Sequence, residues 1–223
     1  VLHCPVSRVT VDGVDTDHSP FDKGSYASGT TYLTGMAVVK ASTKLAAEIR
    51  QQGANRLGVP VLQVMFDGEQ VVSKTDPDLK ISLSDLAQQL VVGDGEWLQC
   101  TATHSSPVSP PPLMAGFAEV EVDTETGKVS VVDYVAVVDC GTVVNPNLAT
   151  VQTQGGVAQG IGMALWEDIQ YNAHGRMLND SFMQYKIPSR LDLPDIRVEF
   201  MPSYEPTGPF GAKSIGEIVI NTP

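Results

Sequence analysis

One carboxylate close to the end of the chain follows a run of small residues. Glu217 closes residues 208–217, whose sequence is GPFGAKSIGE. Glycine adopts backbone conformations that are closed to other residues and lets a ligand approach the backbone closely. A carboxylate held on such a turn between Ile215 and Ile218 can be withdrawn from water and so tuned toward general-base catalysis. A surface turn with a solvated glutamate is the alternative that this segment alone leaves open.

A polar loop of small residues precedes the first predicted helix. Residues 24–31 read GSYASGTT, and an apolar stripe predicts a helix over about residues 33–52, with Gly53 as its stop signal. The first N–H groups of a helix lack partners within the helix and, with the helix dipole, favour an anion at this end. Simple capping by a threonine hydroxyl explains the loop equally well. The candidate caps are Thr30, Thr31 and Thr34.

A second predicted helix is unusually rich in glycine and glutamine. Residues 152–162 read QTQGGVAQGIG and run into the apolar residues that follow. Each glycine costs a helix roughly 1 kcal/mol relative to alanine, so something must offset them. Glutamine amides offer donors and acceptors to a polar heterocycle, whereas glycines also allow another backbone to pack closely. Both a ligand and tight packing remain open for this helix.

Composition limits the class of protein. With 223 residues, 42% hydrophobic and 18% charged, the chain can bury one large core or two small ones. A net charge of −12 and a pI near 4.6 argue against a nucleic-acid binder and against anionic membrane surfaces. The three cysteines lack CxxC spacing, which disfavours a disulfide framework or a zinc site and favours a reducing, cytoplasmic setting.

The sequence shows no membrane span and no signal peptide, and its ends look internal to something longer. Residue 1 is Val, and the last residues directly follow an apolar stretch. We therefore expect either a piece of a longer polypeptide or one part of a split subunit.

Strand and helix signals alternate irregularly, which predicts an α+β fold with mixed sheets and packed helices. A proline-rich run at 107–112 predicts a seam between two subdomains, residues 1–106 and 107–223. Ser82 and Asp85 match a capping box before a helix at 83–90. The predicted strands are 6–11, 61–66, 70–72, 117–122, 129–138 and 196–201, with a further extended piece at 183–188.

Four segments, taken in order, resemble the molybdopterin-binding large subunit of the xanthine dehydrogenase family, the molybdenum hydroxylases. They are Asp-Thr-Asp at 15–17 with FDKGSYAS at 21–28, the strand pair from 117 ending in Val138-Asp139-x-Gly141 and Asn145-Pro146, the glutamine-rich helix at 152–162, and GAKSIGE at 211–217. The chain departs from the family pattern at three places, where Val151, Gln154 and Ser214 replace the usual Gly, Glu and Gly.

The resemblance implies a role for each matching residue. Glu217 matches the family's general base, and Gln152 matches a glutamine that hydrogen-bonds the pterin. Lys213 and Gly216 belong to the turn that positions the glutamate. The loop whose backbone lies against pterin and molybdenum corresponds to Ser25, Tyr26, Ala27 and Ser28. No protein ligand to the metal is expected, because in this family the pterin's dithiolene sulfurs hold it.

The resemblance also implies a reaction, cofactors and partners. The reaction is hydroxylation of an N-heterocycle, purine- or nicotinate-like, with oxygen from water, and the Pro-rich run ahead of Phe117 favours that substrate class. Molybdenum-molybdopterin, in its cytosine dinucleotide form, would lie between this chain and the remaining part of the molybdenum subunit. Iron–sulfur clusters and FAD would sit on partner chains, and the isolated chain would be inactive.

Three other functions compete with this one. The chain could act on aldehydes, or be a noncatalytic fragment or subunit that contributes half of the cofactor site. It could instead be a phosphate-ligand binding module built on residues 24–31 and the glutamine-rich helix, although no Walker or Rossmann fingerprint supports that.

Overall fold

The computed structural model describes residues 1–13 and 15–223, which form two compact units. The first unit contains residues 1–23 and 33–105, and the second contains residues 24–32 and 106–223. Helices and two separate sheets are both present, which confirms the predicted α+β mixture. The assignment of residues 1–106 and 107–223 as cofactor-binding subdomains stays a prediction. Within the described ranges, no helix is long and apolar enough to cross a membrane.

A long helix and a small antiparallel sheet make up the first unit. Helix α1 is Thr30–Leu57, of which residues 33–57 belong to this unit, and helix α2 is Leu83–Gln89. The sheet has the order β1-β2-β3. Its strands are β1 (Val64–Phe66), β2 (Gln70–Ser73) and β3 (Lys80–Ser82). The hairpin of β1 and β2 is confirmed, although residues 61–63 of its predicted first strand form a 3-10 turn. The N-cap of α2 is also confirmed, because the Ser82 side chain accepts a hydrogen bond from the Asp85 amide.

Packing explains why α1 runs past its predicted end. Gly53 lies inside the helix and not at its end. A Cβ atom there would come within 2.7 Å of the Val71 side chain on β2, so this glycine serves close packing and not helix termination. The glycine therefore lets the helix approach the sheet closely, and Ile49, Ala54 and Leu86 complete the buried core. Thr30, Thr31 and Thr34, proposed as caps, all lie within the helix, and the Thr34 hydroxyl donates to Asp22.

Two predicted extended segments are wrong. Residues 6–11 contain a 3-10 turn at Val6–Arg8, and Val6 and Val11 are 87% and 85% exposed. Their alternation therefore has no sheet against which to pack. Residues 183–188 include part of a turn and then continue without regular structure.

The second unit places one long helix against a three-stranded sheet. Strands β4 (Leu113–Val122) and β5 (Val129–Asp139) form the predicted antiparallel pair. Strand β6 (Ile196–Phe200) pairs with the other edge of β5 and runs parallel to it. Helix α3 (Pro146–Leu165) is capped by the Asn145 side chain. Its buried face packs Val157 and Ile161 against Tyr134 and Ala136 of β5, so β5 is central, as its apolar sequence predicts.

Candidate cofactor-binding and active site

Three segments singled out by the sequence converge at Gly216 in the second unit. A Cβ atom on Gly216 would lie 2.7 Å from the Ser28 hydroxyl oxygen and 3.2 Å from the Gln152 amide nitrogen. The small-residue loop, the glutamine-rich helix and the glycine turn therefore meet at one point. Glu217 is the next residue along the chain.

The small-residue loop has an uncommon backbone. Residues Tyr26–Ser28 form a 3-10 turn in which Ala27 and Ser28 have φ angles of 51° and 52°. Side-chain-bearing residues rarely adopt this left-handed region, and such strain concentrates where a ligand or a packing partner fixes the backbone. Ser25, Tyr26 and Ala27 are exposed, whereas Ser28 is half-buried where it faces Gly216.

Tyr32 fixes the loop from its C-terminal side. The ring is buried, and its hydroxyl shares hydrogen bonds with the hydroxyls of Ser106 at 3.0 Å and Thr207 at 2.7 Å. Thr207 in turn donates to the Glu205 carboxylate, and this hydrogen bond is the main reason why the pKa of Glu205 lies below its ordinary value. The loop is thereby tied to the residues that lead into the glycine turn.

The glycines of α3 divide into two kinds. Cβ atoms on Gly156, Gly160 and Gly162 would collide with Val219, the Ile220 carbonyl and the Glu167 and Pro188 side chains, respectively. These three glycines therefore allow other parts of the chain to pack closely on the helix. Gly155 differs, because no described atom lies within 4 Å of its added Cβ. It is exposed, as are Gln152 and Gln159, so this face of α3 is the one that remains open to a ligand.

The three departures from the family pattern have small consequences. The Gln154 amide donates to the Ile196 carbonyl of β6 at 2.9 Å, so it braces the helix against the sheet. Ser214 is not among the non-glycine residues of positive φ, so the turn tolerates serine at this position. Val151 is exposed.

Glycines also shape the turn that carries Glu217. Phe210 and Gly211 have φ angles of 54° and 90°, and a Cβ on Gly208 would lie 2.0 Å from the Ala212 carbonyl oxygen. The chain therefore folds back on itself more tightly than side chains at these positions would allow.

An ion pair that sequence reasoning did not identify lies beneath this turn. The Lys213 ammonium donates to the Asp139 carboxylate at 2.8 Å, and the two side chains are only 9% and 20% exposed. Asp139 also accepts hydrogen bonds from the Ser203 hydroxyl and the Gly141 amide. Burial raises the pKa of Asp139, but the hydrogen bonds from Lys213, Ser203 and Gly141 outweigh it and hold that pKa below its ordinary value.

The backbone of Glu217 is fixed while its side chain is exposed. Glu217 precedes the 3-10 turn Ile218–Ile220, and Val219 within that turn is fully buried against Val138 and Cys140. Glu217 is exposed, so the described residues do not withdraw its carboxylate from water as the sequence predicted.

The donors around Gly216 suit an organic cofactor better than a bare metal ion. The hydroxyl of Ser28 and the amide of Gln152 lie next to it, and in the described part of the chain no three His, Cys, Asp or Glu side chains cluster as metal ligands. Burial raises the pKa of the Cys140 thiol, which favours its neutral form in this chain. A pterin offers ring nitrogens and oxygens that hydroxyl and amide groups can bind, so the residues present fit that group.

Comparison with known proteins identifies the family. The family model described as "Molybdopterin cofactor-binding domain" matches residues 1–194 of the 223. The chain belongs to this family. Among its relatives is the "Probable hypoxanthine oxidase XdhD" of Escherichia coli (strain K12), 40% identical over 99% of this chain and 23% of the relative.

Two further comparisons confirm the xanthine dehydrogenase resemblance and the fold class. The "Putative xanthine dehydrogenase molybdenum-binding subunit XdhA" of Escherichia coli (strain K12) is 32% identical over 96% of this chain and 29% of the relative. The crystal structure of quinoline 2-oxidoreductase from Pseudomonas putida 86 superimposes with a TM-score of 0.81 at 26% identity, covering 92% of this chain and 27% of the other. The chain thus spans about a quarter of the length of the curated relatives it matches.

Proposed function

We propose that this chain supplies the general base and one wall of the molybdopterin site of a xanthine dehydrogenase-like hydroxylase, which oxidises an N-heterocycle with oxygen from water. The observation that carries the proposal is the convergence of Ser28 and Gln152 on Gly216, next to Glu217. Three of the four segments that resemble the family in sequence thereby meet at one place.

Each segment of the site has a defined task toward the cofactor. The backbone of residues 25–28 and the Gln152 amide would hydrogen-bond the pterin, while Gly155 leaves room for it and Gly216 lets Ser28 and Gln152 approach the glycine turn. When bound, molybdenum-molybdopterin supplies the two-electron oxidation that protein side chains cannot perform. We propose its cytosine dinucleotide form for this protein, with iron–sulfur clusters and FAD on partner chains that carry the electrons away.

Glu217 would hold and move a proton. Its carboxylate accepts the proton that is lost as water-derived oxygen is transferred to the substrate carbon, which is general-base catalysis. A base near neutral pH needs an environment that excludes water, and the exposed Glu217 does not have one within these residues. The remaining part of the molybdenum subunit, together with cofactor and substrate, would therefore cover it. A cytoplasmic location stays part of the proposal.

Purines are the substrate class that we favour. The two Escherichia coli relatives, 40% and 32% identical, carry names that refer to hypoxanthine or xanthine oxidation. The experiment is to purify the complete protein, measure molybdenum and pterin nucleotide, and supply hypoxanthine, nicotinate and an aldehyde in ¹⁸O-labelled water. We expect one molybdenum per site and ¹⁸O in the purine product. Nucleotide binding without molybdenum would instead support a phosphate-ligand module, and ¹⁸O only in the carboxylate formed from the aldehyde would make the protein an aldehyde oxidoreductase.

The noncatalytic alternative also has a specific observation in its favour. The chain spans about a quarter of its relatives, and its Glu217 is exposed. We propose that the 223 residues alone do not turn over substrate, because half of the cofactor site would be missing. Molybdenum is to be measured in the purified chain and in the complete protein. Metal in the complete protein alone would mean that the chain is inactive only in isolation, whereas metal in neither would support the noncatalytic alternative.

A further inference from the structure

The Asp139 carboxylate lies at the end of β5, directly against the base of the glycine turn. It bonds Lys213 at 2.8 Å, the Ser203 hydroxyl at 2.7 Å and the Gly141 amide at 2.9 Å. The Lys213 ammonium also donates to the Pro111 carbonyl at 3.2 Å. Both partners of the ion pair thus make further hydrogen bonds and are largely shielded from water. Charge interactions are stronger in such a shielded place than at the surface.

Backbone bonds fasten the turn at the same corner. The Lys213 amide donates to the Cys140 carbonyl at 2.8 Å, and the Thr142 amide donates to the Gly211 carbonyl at 2.9 Å. Gly141 has a φ of 71°, and a Cβ there would lie 2.2 Å from the Gly211 carbonyl oxygen. Residues 211–213 are therefore held in fixed register against the end of β5.

A second anchor lies just beyond Glu217. Val219 packs in the core, and the Tyr134 hydroxyl donates to the Thr222 hydroxyl at 2.8 Å. Only residues 214–216 separate Lys213 from Glu217, so the chain between the two anchors has little freedom to move. A displacement of Lys213 is consequently passed on to Gly216 and Glu217.

We propose that Asp139 is a positioning residue, which holds Glu217 in its productive place through the ion pair with Lys213. The inference rests on the proposed role of Glu217 as general base. Asp139 acts on the glutamate indirectly, through the backbone of residues 213–216. Loss of its charge therefore affects the placement of the base, while the groups that bind substrate stay unchanged.

The test is Asp139→Asn in the complete, cofactor-loaded protein. Asparagine keeps an oxygen for Ser203 and Gly141 but removes the charge that faces Lys213, and a misplaced base lowers turnover steeply. We expect kcat to fall by about tenfold to a hundredfold, with KM and molybdenum content unchanged. Lys213→Arg, which keeps the ion pair, should retain more of kcat than Asp139→Asn.

A matched control lies on the same strand. Asp133 is also on β5 and also pairs with a cation, Arg197, but these side chains are 37% and 63% exposed and lie away from the turn. Asp133→Asn makes the same change of charge, and since exposed ion pairs contribute little it should alter kcat by less than about twofold.

Hydrogen exchange supplies a measurement that does not depend on turnover. In Asp139→Asn, amides of residues 211–219 should exchange faster than in the unmodified protein, whereas Asp133→Asn should leave them unchanged. If Asp139→Asn does not assemble, Ser203→Ala removes a single bond to the same carboxylate and should shift kcat and exchange in the same direction to a smaller extent.

The outcomes separate this inference from the proposed function. Unchanged kcat in Asp139→Asn, or a rise in KM with unchanged kcat, overturns the positioning role while the hydroxylase remains. Absence of molybdenum and of hydroxylation in the unmodified protein overturns the proposed function, and the exchange measurement then still decides whether Asp139 fixes the turn.

Discussion

Gly216 lets a serine and a glutamine meet beside the residue that precedes Glu217, because it has no side chain. The hydroxyl of Ser28 and the amide of Gln152 occupy the space that a Cβ atom would take. Ser28 already has a φ of 52°, so it has little freedom to move away. Any larger residue at position 216 would therefore push Ser28 and Gln152 away from the turn.

Replacing this glycine tests the convergence directly. Gly216→Ala should lower molybdenum content and reduce kcat by about tenfold or more, because the added methyl group pushes apart the loop and the helix that we propose to hold the pterin. Metal analysis and steady-state kinetics measure both effects. Gly93→Ala is the control, since its added Cβ meets no described atom within 4 Å. Equal behaviour of the two variants would contradict the site.

The ion pair of Asp139 predicts how stability depends on pH. A carboxyl whose pKa is lower in the folded chain than in the unfolded chain stabilises the fold at pH values above its ordinary pKa of 3.8. This contribution is lost as the pH falls through the pKa of the folded state. Melting temperatures measured from pH 7 downward should fall less steeply below about pH 4 in Asp139→Asn than in the unmodified chain. An unchanged slope would contradict the buried pair.

At the scale of elements, adjacent glycines of α3 predict opposite effects of the same substitution. Gly155→Ala should stabilise the helix by about 1 kcal/mol, because alanine is the better helix former and its side chain meets open space. Gly156→Ala should destabilise the chain by about 1–3 kcal/mol, because its Cβ would lie 2.0 Å from a Val219 methyl group.

Urea unfolding of the two variants measures this difference in the free energy of unfolding. In the complete protein, Gly155→Ala should additionally lower molybdenum content, since we propose that this open face receives the cofactor. Equal shifts in the free energy of unfolding would contradict the distinction between a packed and an open glycine.

Local sequence signals predicted the elements that form from neighbouring residues. The hairpin of β1 and β2, the capped helix α2 and the pair of β4 and β5 all depend on turn and cap residues within a few positions. Partners distant in sequence were not predictable in this way. The parallel pairing of β6 with β5 and the continuation of α1 through Gly53 both depend on such contacts.

The candidate site shows the same division. Family resemblance predicted which segments matter, and the structure brings Ser28, Gln152 and Gly216 together. The bond of Lys213 to Asp139 joins residues 74 positions apart, and no local sequence pattern predicts it. The left-handed backbone at Ala27, Ser28 and Phe210 was equally unpredictable, because these residue types do not favour it.

At the scale of the whole molecule, the candidate site is an exposed surface and not an enclosed pocket. Ser25, Tyr26, Gln152 and Glu217 are all exposed within a chain that spans about a quarter of its relatives. Catalysis of the proposed kind needs a base shielded from water. The complete protein is therefore the one in which the role of the glutamate has to be measured.

The most direct measurement is kcat of Glu217→Gln in the complete protein, alongside its molybdenum and pterin content. Glutamine keeps the size of the side chain but cannot accept the proton, so we predict a fall of about a hundredfold or more with cofactor content unchanged. Glu125→Gln, an exposed glutamate in the turn between β4 and β5, is the control and should leave kcat as it was. A Glu217→Gln protein that turns over substrate at the unmodified rate would contradict the account.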